Sequence, residues 1–158
     1  MYYTSVTHGA IYKADMDGLR KRKIVTGLTD PYGIAVDLQN RRLYWADENN
    51  QKIQSSDLDG NNVQVAMELS YGENPFGVAV TPDRIYFSAW GTRTIHSMNK
   101  HWSDVQTHYT GSSEEHIAHI AIVENLSNSP SSKRANHCAE QECPNVCVLT
   151  AKSFRCLD

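Results

Sequence analysis

The sequence repeats at a period of 42 residues, and this regularity restricts the possible folds more than any other feature. Each copy begins with an apolar residue, a tyrosine, an aromatic residue and two small or polar residues. The three copies are Met1-Tyr2-Tyr3-Thr4-Ser5, Leu43-Tyr44-Trp45-Ala46-Asp47 and Ile85-Tyr86-Phe87-Ser88-Ala89. A period of this length is typical of architectures in which each repeat is one supersecondary unit that buries its faces against its neighbours.

Two further signatures return within the repeat. The matching positions are Ile11, Ile53 and Ile95, then Asp15, Asp57 and Asn99 four residues later. The first two copies continue as Asp-x-Asp-Gly, which predicts a turn because the carboxylate can accept backbone N–H groups and the glycine can adopt a positive φ. Pro-aromatic-Gly-(Ile/Val)-Ala-Val stands at residues 31–36 and 75–80, with a weaker copy at 119–122.

One period contains four short apolar stretches separated by Gly, Asn and Asp clusters, which predicts four strands. In the second copy these are residues 33–37, 42–46, 52–56 and 63–67. A lone four-stranded antiparallel sheet exposes its faces, so such units stack radially around a channel. The sequence therefore predicts an all-β protein with a β-propeller architecture.

The stretch Tyr44-Trp45-Ala46-Asp47, with its variants in the other copies, resembles the YWTD repeat of the low-density lipoprotein receptor class B type. The resemblance covers residues 1–123, with repeats starting near residues 1, 43 and 85; the Gly-His and Trp-Asp pairs of WD40 repeats are missing. The resemblance implies that Asp47 is a structural hydrogen-bonding residue. The first and third copies have Ser5 and Ala89 at the matching position, so we expect their blades to be held less firmly. The family's propeller closes with six blades, so we expect about three of six here, in a fragment that lacks its amino-terminal half and any secretion signal.

All four cysteines lie in the last 21 residues, at Cys138, Cys143, Cys147 and Cys156. The polar segment 124–137 before them reads as a linker, so residues 138–158 form a second module. The cysteine spacing resembles the first four cysteines of an EGF-like module, which implies disulfides Cys138–Cys147 and Cys143–Cys156. Asp158 stands where a fifth cysteine is usual, so the module is truncated or divergent. Zinc is the competing interpretation, but the gaps of four, three and eight residues fit it poorly, and no acidic cluster of the calcium-binding EGF type precedes Cys138.

Disulfides would place the protein in an oxidising compartment and outside the cell. Asn125-Leu126-Ser127 is then a usable glycosylation acceptor. No apolar stretch is long enough for a membrane helix, and the first residues do not form a signal peptide. We expect the chain to act as part of a longer receptor, on the extracellular side of the plasma membrane and in endosomes, without inserting into the membrane itself.

Charge and motifs exclude several classes of function. With 15 Lys+Arg against 18 Asp+Glu, the net charge of −3 does not suit a nucleic-acid binder, and the basic run Arg20–Lys23 stands alone. No catalytic or phosphate-binding motif is present. The aspartates recur at the same turn in successive repeats, which a structural role produces and a single active site does not. We therefore expect no enzymatic activity, cofactor or metal.

Two features go beyond the repeat pattern. Five of the seven histidines fall in or just after the third copy, and histidine changes charge between the extracellular medium and an acidic endosome. His96, His101 and His108 are therefore candidates for a pH switch, with spectator roles left open. Trp90 replaces Val6 and Glu48 of the other copies; a partner contact and packing against the next blade are both open.

The resemblance implies an endocytic receptor that binds protein or lipoprotein cargo, with the propeller contacting other modules of the same receptor and aiding acid-dependent release. A nidogen-type matrix protein is the main rival, and a Wnt-type signalling co-receptor is the third possibility.

Overall fold

The computed structural model describes residues 1–115 and 117–122, together with the backbone of two strands at 146–149 and 154–157. Every regular element in this part of the chain is a β-strand. The strands are β1 Tyr2–Ser5, β2 Ala10–Lys13, β3 Arg22–Thr26, β4 Pro31–Asp37, β5 Arg42–Asp47, β6 Lys52–Asp57, β7 Gln64–Glu68, β8 Pro75–Val80, β9 Arg84–Ala89, β10 Thr94–Asn99, β11 Gln106–Thr110, β12 Ile120–Ala121, β13 Val146–Leu149 and β14 Phe154–Leu157. The all-β prediction is confirmed for these residues.

The strands form four antiparallel sheets, and within each sheet chain neighbours pair. Sheet 1 is β1-β2-β3, sheet 2 is β4-β5-β6-β7, sheet 3 is β8-β9-β10-β11 and sheet 4 is β12-β13-β14. The strands predicted for the second copy lie within two residues of those observed in sheet 2. The inner strand starts earlier than predicted because Pro31 already pairs with Asp47.

The repeat sequence sets the same register in three sheets. The third residue of each copy lies opposite a residue nine positions later, as Tyr3 with Tyr12, Trp45 with Gln54 and Phe87 with His96. β1 is therefore equivalent to β5 and β9, and sheet 1 corresponds to the three outer strands of sheets 2 and 3.

The sheets stack face to face, and the core lies at their boundaries. Between sheets 1 and 2, Trp45 and Leu43 pack with Ile11 and Val25. Between sheets 2 and 3, Phe87 and Ile85 pack with a group that contains Tyr44 and Ile53. Trp45 and Phe87 are fully buried, and burying side chains of this size stabilises a fold by about 2–3 kcal/mol each. The aromatic position of the repeat thus fills the space against the preceding sheet.

The inner strands β4, β8 and β12 lie side by side, and glycines permit their close approach. A Cβ atom on Gly33 would lie 2.5 Å from the Phe76 carbonyl oxygen and 2.7 Å from the Val78 nitrogen of β8. On Gly77 it would lie 2.7 Å from the Ala118 carbonyl oxygen. The glycine of the Pro-aromatic-Gly signature is therefore required where one inner strand meets the next.

Loops also cross the sheet boundaries. Asp59, in the loop after β6, accepts hydrogen bonds from Lys13 Nζ at 2.8 Å and from Arg22 at 2.7 Å, both on sheet 1. These bonds hold the pKa of Asp59 below its usual value. All three side chains are at least one-third exposed, so the surrounding water and salt weaken the contact.

The predicted second module is mostly outside the described residues, as are the linker 124–137, Cys138, Cys143 and Asn125. Cys147 and Cys156 lie opposite each other on the backbones of β13 and β14. The EGF-like module and its disulfides stay predictions.

Candidate functional site

Four aromatic side chains from different parts of the sequence meet at one end of the sheets, and we call them the aromatic row. They are Tyr32, Phe76, Trp90 and His119. The Tyr32 and Phe76 rings stack with their centroids 4.4 Å apart and their planes 26° apart. Phe76 also lies 5.2 Å from the His119 ring, edge to face, and 6.3 Å from the Trp90 ring. Phe76 is thus the centre of the row.

The repeat itself brings these rings together. Tyr32 and Phe76 occupy the same position of the Pro-aromatic-Gly signature, one residue before Gly33 and Gly77. Since those glycines let the inner strands approach, the two rings come into stacking contact. Thr4 Oγ1 donates a hydrogen bond to the Tyr32 carbonyl oxygen at 2.7 Å, which ties β4 to sheet 1. The row is therefore held by backbone positions that the fold fixes.

Trp90 is fixed by the loop that joins sheets 2 and 3. Its backbone N–H donates to the Asn74 carbonyl oxygen at 3.0 Å, and the Gly91 N–H donates to the Glu73 carbonyl oxygen at 3.0 Å. A Cβ atom on Gly91 would lie 2.0 Å from the Gly72 carbonyl oxygen, so the backbones are in direct contact. The Trp90 side chain is 43% exposed, and Tyr71 in the same loop is fully exposed. An exposed tryptophan on a rigid backbone beside stacked rings is a surface suited to a protein partner.

Asp47, from the YWTD stretch, lies fully buried at this same end. It accepts hydrogen bonds from the Asp30 N–H at 3.1 Å, the Thr29 N–H at 3.4 Å and Asn50 Nδ2 at 2.9 Å. It therefore fixes the loop that leads into β4 and presents Tyr32.

Sheet 3 has Ala89 where sheet 2 has Asp47, and its leading loop is held in another way. Gln51 Oε1 accepts from the Asn74 N–H at 2.9 Å, and Gln51 Nε2 donates to Asn74 Oδ1 at 2.8 Å. The loop before β8 thus keeps its hydrogen bonds despite the missing carboxylate. In sheet 1, Ser5 Oγ hydrogen bonds His8 Nδ1 at 2.9 Å instead.

The other motif residues serve the sheets rather than the aromatic row. The Tyr2 hydroxyl donates to the Leu58 carbonyl oxygen at 3.0 Å, across the boundary of sheets 1 and 2. Tyr44 is buried in the core, and Tyr86 lies beside the His108 ring at 5.6 Å.

Asp57 accepts from the N–H groups of Asp59 and Asn61 at 2.9 Å each. Asp15 accepts the N–H of Gly18 on its carbonyl oxygen and pairs with Arg20. These aspartates form the turns that the sequence predicts.

His96 lies on β10 with its ring stacked 5.2 Å from Phe87. Its Nε2 is 2.7 Å from Thr94 Oγ1 and its Nδ1 is 3.0 Å from Thr107 Oγ1. Burial lowers the pKa of His96, although the negative charge of Glu73 partly opposes this. The neutral ring is therefore favoured at the boundary with sheet 2.

His108 lies on β11, where its Nε2 is 2.6 Å from Ser97 Oγ. Arg84 Nε donates to the same hydroxyl at 2.8 Å, and the Arg84 guanidinium pairs with Asp104 at 2.7 Å. Burial and then the nearby Arg84 charge lower the pKa of His108. A proton on His108 would lie close to the positive charge of Arg84 in a partly buried position.

His101 is exposed in the turn after β10, and its N–H donates to Asn99 Oδ1 at 3.0 Å. The structure therefore separates His101 from the other two predicted switch residues, whose hydrogen bonds and ring contacts described above lie within sheet 3 rather than at the aromatic row. His119 is the histidine that joins the aromatic row. One sequence feature could have indicated this residue: His119 stands at the position where the other copies have Gly33 and Gly77.

Across residues 1–115 and 117–122, no group of three His, Cys, Asp or Glu side chains could hold a metal ion. Nor does the described part of the chain contain a helix long and apolar enough to cross a membrane.

Comparison with known proteins agrees with the repeat pattern. Residues 41–80 match the low-density lipoprotein receptor repeat class B. The vitellogenin receptor Yl of Drosophila melanogaster is 29% identical over 140 residues, which cover 88% of this chain and 7% of that receptor. The chain therefore spans less than a tenth of the length of this relative.

Solved structures share the fold at lower identity. A chain of the nidogen/laminin complex matches with a TM-score of 0.68 and 21% identity, over 75% of this chain and 46% of that one. Virginiamycin B lyase from Staphylococcus aureus matches with a TM-score of 0.63 and 13% identity, over 75% of this chain and 40% of the lyase. The stacked sheets are thus those of a propeller-like fold, which a chain of the nidogen/laminin complex and a lyase both use.

Proposed function

We propose that this chain is part of the extracellular region of a lipoprotein-receptor-like endocytic receptor and that the aromatic row binds protein or lipoprotein cargo. The carrying observation is the match to a vitellogenin receptor over 88% of the chain, in a structure that exposes aromatic rings on a rigid end. Sheets 1, 2 and 3 would supply three of six propeller blades, followed by an EGF-like module with the disulfides Cys138–Cys147 and Cys143–Cys156.

The proposal places the chain outside the cell and in endosomes, with Asn125 glycosylated, and gives it no catalytic role. It assigns no cofactor. The test of cargo binding measures the association of purified vitellogenin with the immobilised 158-residue chain at neutral pH. We expect Trp90→Glu, which introduces the residue of the matching position 48, to weaken binding at least about tenfold.

Leu38→Glu is the matched control. Leu38 is 78% exposed at the opposite end of the sheets, beside an open groove of about 240 Å³ lined by Val36 and Val80. It adds the same charge away from the aromatic row and should leave binding unchanged. Equal losses in the two variants would contradict a site at the row. If laminin binds the chain and vitellogenin does not, the matrix-protein alternative replaces the receptor. Absence of binding to both would leave the Wnt-type co-receptor as the remaining alternative.

We further propose that His96, His101 and His108 aid release of cargo at endosomal pH. The support is that acid would place charge on both faces of sheet 3: on His96, which stacks on Phe87 at the boundary with sheet 2, and on His108, which lies beside Tyr86 on the opposite face. The matched variant gives sheet 3 the residues of sheet 2 at these positions, His96→Gln, His101→Asp and His108→Ala. We expect cargo to dissociate from this variant at similar rates at pH 7.4 and 5.5, while the unchanged chain releases faster at pH 5.5. Persistence of the acid-accelerated release in the variant would contradict the switch.

A further inference from the structure

Sheet 1 carries a row of positive charges at the start of its outer strand, and we call this row the basic strip. It consists of Arg20, Lys21, Arg22 and Lys23, which lead from the turn after β2 into β3. All four residues are exposed. Since the whole chain has a net charge of −3, the basic strip has the opposite sign to the molecule that carries it.

The repeat does not require these charges. The matching residues of the other two copies contain no cation: they are Asn62-Val63-Gln64-Val65 in sheet 2 and Asp104-Val105-Gln106-Thr107 in sheet 3. Cations can protect an outer strand from pairing with another chain, but β7 and β11 stand at the same edge of their sheets without them. The basic strip is therefore an addition to the repeat pattern.

The position of β3 at the outer edge keeps the basic strip accessible. Sheet 2 packs against a sheet on each side, yet Val63 and Val65, which match Lys21 and Lys23, are 46% and 39% exposed. Val105 of sheet 3 also matches Lys21 and is 47% exposed. A further sheet packed against sheet 1 would thus leave these positions open to a partner.

Acidic side chains neutralise the basic strip in part. Arg20 pairs with Asp15. Arg22 shares Asp59 with Lys13, at distances of 2.7 and 2.8 Å, so that one carboxylate faces two cations. The acidic neighbours therefore leave an excess of positive charge even around the paired arginines.

The two lysines of the basic strip form no ion pair within the described residues. The Nζ atoms of Lys21 and Lys23 lie 4.7 and 5.8 Å from the centre of the Tyr12 ring. That ring is buried and stacks on Tyr3 with the centroids 5.1 Å apart. Lysine stems can pack on such a surface while the ammonium groups stay in water, so two uncompensated charges are held close together.

We propose that the basic strip binds a sulfated polysaccharide. Runs of Lys and Arg are typical of sites for linear polyanions such as heparin, and a row of exposed cations can contact such a chain without a pocket. The choice of a polysaccharide over anionic lipid rests on the extracellular location proposed above, because anionic lipids belong to the cytoplasmic leaflet. The basic strip is separate from the aromatic row.

The test measures binding of the 158-residue chain to immobilised heparin at pH 7.4 and about 0.15 M salt. We expect saturable binding whose logarithmic affinity falls linearly with the logarithm of the salt concentration, as counterion release from a polyanion requires. Lys21→Val with Lys23→Thr introduces the residues of sheet 3 and removes neither arginine ion pair. It should weaken binding at least about tenfold. Absence of binding to the unchanged chain, or unchanged affinity in this variant, would overturn the proposal.

Two further variants separate the basic strip from net charge and from a loss of fold. Arg41→Asn with Lys52→Gln removes the same charge from sheet 2 and should leave the affinity within about twofold. Equal losses in the two neutralised variants would contradict a local site. Lys21→Arg with Lys23→Arg keeps the charge and should bind as the unchanged chain does, and weak binding there would contradict recognition by charge.

The chemistry of the partner is tested with other ligands. Desulfated, N-acetylated heparin keeps its carboxylates and should bind at least about tenfold more weakly. Equal binding of this polymer or of polyglutamate, or tighter binding to vesicles that contain phosphatidylserine, would overturn the assignment to a sulfated polysaccharide. Trp90→Glu should bind heparin as the unchanged chain does, so a failure of cargo binding at the aromatic row can be distinguished from a failure at the basic strip.

Discussion

Lys100 Nζ lies 2.7 Å from Asp37 Oδ2 and joins the loop after β10 to the end of β4. The two side chains are 16% and 3% exposed, and the ammonium also lies 5.6 Å from the centre of the Tyr44 ring. Burial opposes ionisation of Asp37, but hydrogen bonds from Asn40 and Lys100 outweigh it and lower its pKa. This largely buried ion pair links sheets 2 and 3.

Replacing Lys100 by methionine should therefore destabilise the fold by about 2–4 kcal/mol, because Asp37 is left as a buried charge with fewer partners. Urea unfolding at neutral pH measures the loss. Lys52→Met is the control: Lys52 pairs with Glu68 at 3.2 Å, and the two side chains are 34% and 69% exposed. That substitution should cost less than about 1 kcal/mol, and equal losses would show that the Lys100 pair is not shielded.

Acid should weaken the fold through His108. Its pKa in the folded chain is lowered by burial and by Arg84, so the unfolded chain takes up the proton first as the pH falls below about 6.5. Stability is therefore complete above this pH and decreases below it. His108→Ala, which matches Ala66 of sheet 2, should flatten the dependence of the urea midpoint on pH between 7.5 and 5. His101→Gln alters an exposed turn and should leave the slope unchanged; a similar flattening there would assign the effect elsewhere.

Gly33 should not tolerate a methyl group. Gly33→Ala places a Cβ atom 2.5 Å from the Phe76 carbonyl oxygen, so β4 and β8 must separate, and we expect a loss of about 2–4 kcal/mol in thermal or urea unfolding. Gly72 is the control for backbone strain alone, with φ +88° and no atom of the described residues within 4 Å of the place that a Cβ would take. Gly72→Ala should cost about 1 kcal/mol, and a larger loss than at Gly33 would contradict the close approach.

Asp47 should be needed for the loop before β4. Asp47→Ala removes a buried acceptor and leaves the N–H groups of Thr29 and Asp30 without it, which should cost about 2–4 kcal/mol. Asp17 is an exposed carboxylate that accepts one backbone N–H at 2.9 Å, from Leu19. Asp17→Ala should change the urea midpoint little, and a comparable shift would mean that any turn carboxylate has the same effect.

The repeated positions could be predicted because each has the same task in every sheet. Trp45 and Phe87 fill equivalent spaces, and Asp57 forms the turn that its sequence indicates. The sequence singles out Trp90 but does not predict the aromatic row, because the members of the row come from different copies of the repeat and meet only when the sheets stand side by side. The Gln51 bonds to Asn74 could not be predicted either, since they replace a lost carboxylate with a side chain from the neighbouring sheet.

The contacts of Asp59 with sheet 1 have a consequence for how such repeats can be exchanged. Asp59 meets two cations at one boundary, whereas the equivalent position in the next copy is His101 and the tie there runs from Lys100 to Asp37. If recombination moved a repeat to the place of its neighbour, its strands would still form. The charged side chains at its boundary would then lack the oppositely charged partners that they have in this chain. Duplicated copies in this chain are therefore not interchangeable parts, and crossovers that preserve folding must carry both sides of a boundary together.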